Sequence, residues 1–175
     1  MPEVVWVEEA ELWLAHTAEG IPLVGADALH AAGVTGEGQA IAIVDTGVDF
    51  LHPALGAGAI PNGVVVYGLD TADNDTNARD CGTHGTAVAS IAAGRPHVWA
   101  SLTRFAGGVA PGASILAYKA SPDDACGTFD SRDVVAAIED AILRRDEYNL
   151  VAVNLSLGGE PSAGPCDGAG AMSSY

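Results

Sequence analysis

Basic side chains are scarce in this sequence. Only 7 of its 175 residues are lysine or arginine, against 23 aspartate or glutamate, which gives a formal net charge of −16 at pH 7. Proteins that bind nucleic acid gain much of their affinity from lysine and arginine placed against phosphates. The composition therefore predicts that nucleic acid is not a partner.

Long apolar runs are also missing. A membrane-spanning helix needs about 18 or more apolar residues, and every stretch of that length here is interrupted by glycine, proline or a charged residue. The first ten residues, MPEVVWVEEA, contain no basic segment followed by an apolar run, so no signal peptide is visible. We expect no membrane partner.

Cysteine is limited to three residues, Cys81, Cys126 and Cys166. None of them belongs to a Cys-x-x-Cys pair, which argues against a zinc ribbon and against a dithiol redox motif. The odd number leaves one thiol without a partner inside the chain.

What is present predicts one α/β domain. Nearly half of the residues, 49%, are hydrophobic, and the length is that of a single ordinary domain. Short apolar runs rich in β-branched residues, typical of parallel strands covered on both faces, occur at 39–45, 64–69, 114–119 and 150–155. Helical patterns occur at 26–32, 84–94 and 131–145. This alternation predicts an open parallel sheet with helices on both faces.

Two polar residues stand where such a sheet collects reactive groups. Asp45 ends the first apolar run, and His84 opens a predicted helix in a string of small residues. A carboxylate can fix the tautomer of an imidazole, which can then act as a general base. Taken alone, however, an aspartate at a strand end is more often a turn or cap residue, and a histidine at a helix start is more often structural.

Four strings in a fixed order narrow these alternatives. They are AIVDTGVD at 42–49, HGTAVAS at 84–90, GVAPGASI at 108–115 and NLSLGG at 154–159. In order and spacing they resemble the subtilisin-like serine proteases, or subtilases of the peptidase S8 type, from about residue 20 to residue 175. The resemblance implies a secreted or extracellular serine endopeptidase on a seven-stranded α/β fold, with polypeptides as substrates.

The resemblance also implies roles for particular residues. Asp45 and His84 correspond to the aspartate and histidine of a Ser-His-Asp triad. The segment Ser156, Leu157 and Gly158 corresponds to the edge segment that binds the substrate backbone as an added strand, and we expect this segment to lie on a strand at the same edge of the sheet as Asp45 and His84.

The family's serine lies in a GTS-type string and its oxyanion asparagine in an AAGN-type string, and neither string occurs here. We therefore expect the nucleophile to lie beyond the given chain and the chain alone to be inactive. The alternative is a truncated, catalytically inactive homologue that acts as a peptide- or calcium-binding module. A nucleotide-binding domain is disfavoured, because no GxGxxG or GxxxxGK[ST] string follows a predicted strand.

The amino-terminal segment fits the same resemblance. Residues 2–13 alternate apolar and polar side chains before turning acidic, as in the last strand of the family's inhibitory propeptide. We predict that residues 1–16 are the end of a propeptide and a linker, and that residues 17–175 are the first part of the catalytic domain. The propeptide would then be a partner of the domain. The alternative is an ordinary edge strand.

An acidic loop precedes His84. Asp70, Asp73, Asp75 and Asn77 offer clustered oxygen atoms, the ligands that calcium prefers. Their spacing resembles the extra calcium loop of thermitase-like subtilases, which implies a structural calcium ion. The alternative is a solvated turn, since aspartate and asparagine are also common turn residues.

The positions of two cysteines suggest a bridge. Cys81 lies three residues before His84, and Cys126 lies in the loop after the third strand. We predict a disulfide between them at the rim of the site. The alternative is a pair of unrelated buried thiols.

Overall fold

The computed structural model describes residues 17–98 and 104–158. A four-stranded parallel sheet and a short antiparallel pair of strands lie in these residues. The strands are β1 (Ala40–Asp45), β2 (Val65–Asp70), β3 (His97–Val98), β4 (Arg104–Phe105), β5 (Ser114–Lys119) and β6 (Leu150–Asn154). The parallel sheet has the spatial order β2-β5-β1-β6, which confirms the predicted α/β class.

Five α-helices lie in the described residues. They are α1 (Thr17–Leu23), α2 (Ala26–Ala31), α3 (His84–Ala93), α4 (Ser131–Leu143) and α5 (Arg145–Tyr148). Two of them, α3 and α4, cover opposite faces of the parallel sheet. Successive strand residues point to opposite faces, so Ile43 of β1 packs in the same cluster as Ala89 of α3. Its neighbour Val44 packs in a second cluster with Ala137 of α4. Each face of β1 is therefore covered by a different helix.

Helix α4 shows how sequence sets such an element. Asp130 accepts a hydrogen bond from the backbone N–H of Arg132 at 2.8 Å, which satisfies one of the unpaired donors at the helix start. Val134, Ala137 and Ala141 then recur at helical spacing and are buried against the sheet.

Parallel strands bring their carboxyl ends to one edge of the sheet. The register places Asp45, the last residue of β1, opposite Lys119, the last residue of β5. Asp70, the last residue of β2, lies opposite the same lysine. Three charged side chains that are far apart in the sequence thus meet at this edge.

The structure differs from the sequence predictions mainly at the amino terminus and the ends of elements. The predicted helical patterns begin at residue 26, whereas the structure has a further short helix, α1, that begins at Thr17. The helical pattern at 131–145 is divided between α4 and α5, and strands and helices end within one residue of their predicted bounds elsewhere. The strand predicted at 2–13 lies outside the described residues.

Candidate active site

Asp45 is a fully buried carboxylate at the end of β1. A buried charge needs hydrogen-bond donors, and the structure supplies them. The backbone N–H of Thr46 donates to Asp45 Oδ1 at 2.7 Å. The Nδ1 atom of His84 lies 2.8 Å from Oδ1 and 3.0 Å from Oδ2 of the same carboxylate. The structure therefore brings together the two residues predicted to form the pair.

His84 is the first residue of α3, and its side chain is 58% exposed. Because a carboxylate can only accept, the Asp45 contact selects the tautomer with the proton on Nδ1. The other ring nitrogen, Nε2, then carries no proton in the neutral imidazole. This arrangement can remove a proton from a group that approaches from solvent.

Gly85 allows the helix to begin so close to the strand. A Cβ atom at this position would lie 3.1 Å from the Cβ of Asp45 and would overlap the carbonyl oxygen of Gly47. A side chain here would push α3 away from β1 and lengthen the contact between His84 and Asp45.

Asp80 is a residue of the site that sequence reasoning missed. Its Oδ1 accepts hydrogen bonds from Thr46 Oγ1 at 2.7 Å and from the Gly82 N–H at 2.9 Å. Its Oδ2 accepts from the Thr86 N–H at 2.9 Å and from the Thr86 hydroxyl. The N-cap signal does not single it out, because the N-cap position before α3 belongs to Thr83, three residues later.

The loop before α3 is also held covalently. Cys81 and Cys126 form a disulfide, with their Cα atoms 5.8 Å apart. The bridge ties the residues just before His84 to the loop that follows β5. The structure thus brings this predicted pair together as well.

The predicted substrate-binding segment is not a strand in the structure. Strand β6 ends at Asn154, and Ser156, Leu157 and Gly158 continue without strand pairing. The expectation of a strand was wrong, because the pairing of β6 with β1 ends at Asn154, which lies opposite Ile43. The segment still leaves the sheet at the edge where β1 ends.

The acidic loop is organised around a lysine. The buried ammonium of Lys119 lies 2.5 Å from Asp70 Oδ2 and 2.6 Å from Asp73 Oδ2. Asp123 Oδ1 lies 3.1 Å from the same nitrogen. Burial acts to lower the pKa of Lys119, but hydrogen bonds to the three carboxylates outweigh it and raise the pKa. The same interaction has the opposite effect on the acid, because the hydrogen bond from Lys119 lowers the pKa of Asp73.

The four predicted calcium ligands do not converge on one point. Asp70 and Asp73 are engaged by Lys119, whereas Asp75 accepts a hydrogen bond from the Asn77 N–H at 2.6 Å. Across residues 17–98 and 104–158, no three His, Cys, Asp or Glu side chains form a group that could hold a metal ion. This arrangement does not fit a calcium ion, because the lysine ammonium occupies the position between the carboxylates.

The fold and the site together define a class: an α/β protein with a buried aspartate and an exposed histidine paired at the carboxyl edge of a parallel sheet. The sequence profile of the Subtilase family matches residues 36–174. The chain belongs to the subtilase family.

Individual subtilases show the same relationship. The chain is 40% identical over 121 residues to the thermophilic serine proteinase of Bacillus sp. (strain AK1), covering 69% of this chain and 26% of that protein. It is 33% identical over 162 residues to subtilisin E of Bacillus subtilis (strain 168), covering 90% and 38%. It is 32% identical over 149 residues to the minor extracellular protease Vpr of the same organism, covering 80% and 16%. The chain thus spans well under half the length of these relatives.

None of the helices found in residues 17–98 and 104–158 combines the length and the apolar character that a transmembrane span requires.

Proposed function

We propose that the protein to which this chain belongs is a serine endopeptidase of the subtilisin type, in which Asp45 orients His84 and His84 acts as general base. The observation that carries the proposal is the contact of His84 Nδ1 with the buried carboxylate of Asp45 at 2.8 Å. The 58% exposure of the imidazole adds to it, because a base must be reachable by its substrate.

The chemistry follows from the two nitrogens of the ring. Nε2 of His84 would take the proton of a serine hydroxyl as its oxygen attacks the carbonyl carbon of a peptide bond. The resulting imidazolium would be stabilised by Asp45, and it would then give the proton to the departing amine. Asp45 keeps its negative charge throughout.

The serine itself is proposed to lie beyond residue 175 of the longer protein. The chain covers between 16% and 38% of the relatives' lengths described above, and the 175 residues contain no GTS-type or AAGN-type string. Without a nucleophile and a donor for the oxyanion, the chain alone would not hydrolyse peptides.

Polypeptides are the proposed substrates, with their backbone bound along Ser156, Leu157 and Gly158. The position of this segment supports the proposal, because it leaves the sheet at the edge where Asp45 ends β1. A substrate in extended conformation could then supply the strand pairing that these residues lack in the structure.

Residues 1–16 are proposed as the end of an inhibitory propeptide, which would be a second partner of the domain, and the protein is proposed to act outside the cell. The disulfide between Cys81 and Cys126 supports an oxidising compartment. The related minor extracellular protease Vpr of Bacillus subtilis, which is extracellular by name, points the same way.

A serine-directed fluorophosphonate probe and casein hydrolysis test the function. We expect the longer protein to be labelled and to cleave casein, and the 175-residue chain to do neither. His84→Ala in the longer protein should abolish turnover, whereas His30→Ala, a histidine bonded to the Val109 carbonyl at 2.8 Å, should not.

Two results would contradict the proposal. Labelling of the 175-residue chain with turnover would show that a serine within it is the nucleophile. A longer protein that binds peptides without labelling or cleavage would favour the inactive binding module.

A further inference from the structure

We propose that Asp80 is a positioning residue for catalysis. Its carboxylate accepts hydrogen bonds from Thr46, which follows β1, and from Thr86, in the first turn of α3, and so holds the His84 imidazole against Asp45. The inference rests on the proposed function, since His84 must be the base for its position to matter.

The hydrogen bonds of Asp80 reach both sides of the pair. Thr46 directly follows Asp45, and Thr86 is the second residue after His84. One carboxylate oxygen accepts from the Thr46 hydroxyl and the other from the backbone and hydroxyl of Thr86. A single side chain therefore connects the strand that carries the orienting aspartate to the helix that carries the base.

Thr46 transmits this restraint to the carboxylate of Asp45. Its N–H donates to Asp45 Oδ1 at 2.7 Å, and its hydroxyl oxygen accepts from the Gly85 N–H at 3.0 Å while donating to Asp80. Thr46 is almost fully buried, with 3% of its surface exposed. Loss of Asp80 would leave this hydroxyl without its acceptor and let Thr46 shift.

The start of α3 depends on the same carboxylate. Thr83 stands at the N-cap position, but its side chain makes no capping hydrogen bond. Asp80 supplies the missing acceptor to the Thr86 N–H from outside the helix. Its negative charge also lies at the positive end of the helix dipole, where a carboxylate is favourable. The first turn, which contains His84, is therefore anchored by Asp80.

Nuclear magnetic resonance of the full 175-residue chain tests the proposal without needing turnover. A proton held between an imidazole Nδ1 and a carboxylate gives a signal far downfield of ordinary amide protons. We expect this signal in the unsubstituted chain and its loss in Asp80→Ala. Asp130→Ala removes a matched aspartate cap, that of α4, and should leave the signal unchanged.

A second pair of variants separates positioning from a general loss of fold. Thr46→Ser keeps the hydroxyl that links Asp80 to the site, and Thr46→Val removes it with little change in size. We expect the signal to survive in Thr46→Ser and to disappear in Thr46→Val. In the longer enzyme, Asp80→Ala should lower kcat on the order of 100-fold with little change in KM, since displacement of a catalytic group by about 1 Å costs that much.

The outcomes distinguish this inference from the function on which it rests. A downfield signal that persists unchanged in Asp80→Ala overturns the role of Asp80 alone. If Asp80→Ala does not fold, equal signals in Thr46→Ser and Thr46→Val overturn it instead. A longer protein without peptidase activity overturns the proposed function, while the effect of Asp80 on the pair is still read from the spectrum.

Discussion

Asp45 and Lys119 are opposite neighbours at the ends of two adjacent strands, and both are fully buried. Their partners differ. Asp45 is paired with His84, whose imidazole is 58% exposed. Lys119 is surrounded by three carboxylates, of which that of Asp70 is itself buried. A buried charge with an exposed imidazole partner can act on a molecule from solvent, whereas the buried ammonium of Lys119 is already neutralised by carboxylates and stabilises the loops that they belong to.

The bridge between Cys81 and Cys126 links these two regions. Cys81 belongs to the loop that leads to His84, and Cys126 to the loop that brings Asp123 to Lys119. Substitutions in one region therefore test whether a change in the reactive pair affects the ion cluster, and whether a change in the ion cluster affects the pair.

The largest expected effect is on catalysis. Asp45→Asn in the longer enzyme should lower kcat/KM by about 10⁴-fold, because the amide no longer selects the correct imidazole tautomer. Steady-state kinetics on a peptide substrate measures this loss. Asp130→Asn, the same change at the start of α4, should leave kcat/KM unaltered. A loss of less than about tenfold in Asp45→Asn would show that the pair is not the catalytic one.

Lys119→Met should mainly reduce stability. Removing the buried ammonium leaves the buried carboxylate of Asp70 without its charged partner, a loss that costs about 3–5 kcal/mol in comparable cases. Urea denaturation measures the change in the free energy of unfolding. Arg145→Met removes an exposed pair with Asp146 at 2.9 Å and should cost less than about 1 kcal/mol.

Melting of the unsubstituted chain with and without calcium tests the calcium prediction. If Lys119 occupies the position of a cation, calcium should not change the melting temperature of the unsubstituted chain. A rise with calcium, reversed by a chelator, would instead restore the acidic loop as a calcium site.

Loss of the disulfide should have a somewhat smaller effect on stability. The bridge closes a loop with a sequence separation of 45 residues. Typical disulfides contribute about 2–4 kcal/mol, chiefly by restricting the unfolded chain. Cys81→Ser with Cys126→Ser should lower the free energy of unfolding by that amount in a calorimetric or urea experiment. Cys166→Ser is the control, and an equal loss there would contradict the assignment.

The smallest expected effect is the pH dependence of the ion cluster. The pKa of Asp73 is lowered by Lys119, so its contribution is present above its unfolded value of about 4 and is lost as the pH falls through the folded-state value. The pKa of Lys119 is raised, so its contribution is complete below about pH 10 and is lost as the pH rises through the folded-state value.

The contribution of the cluster to stability should therefore be constant between about pH 4 and about pH 10. In Lys119→Met the contribution of the cluster to both flanks should disappear. Identical pH profiles for the two proteins would show that the cluster contributes nothing to the pH dependence.

Much of the architecture could be predicted from local patterns. The four parallel strands correspond to four apolar runs, because strands covered on both faces need apolar side chains at successive positions. The candidate pair could also be predicted, since Asp45 ends a strand and His84 begins a helix within recognisable strings. The Ser156–Gly158 segment shows the limit of such patterns, because a strand requires a partner that these residues lack in the structure.

The sequence by itself determined the α/β class, the family and the identity of the paired residues, because each of these follows from short sequence segments and their order along the chain. Only the tertiary structure decided which other side chains contact one another around this pair. Lys119 donates a hydrogen bond to Asp70, which lies 49 residues away in the sequence, and Asp80 accepts one from Thr46, which lies 34 residues away. Such contacts depend on strand register and on how closely α3 approaches β1, and both are set by packing of the whole domain rather than by any local segment.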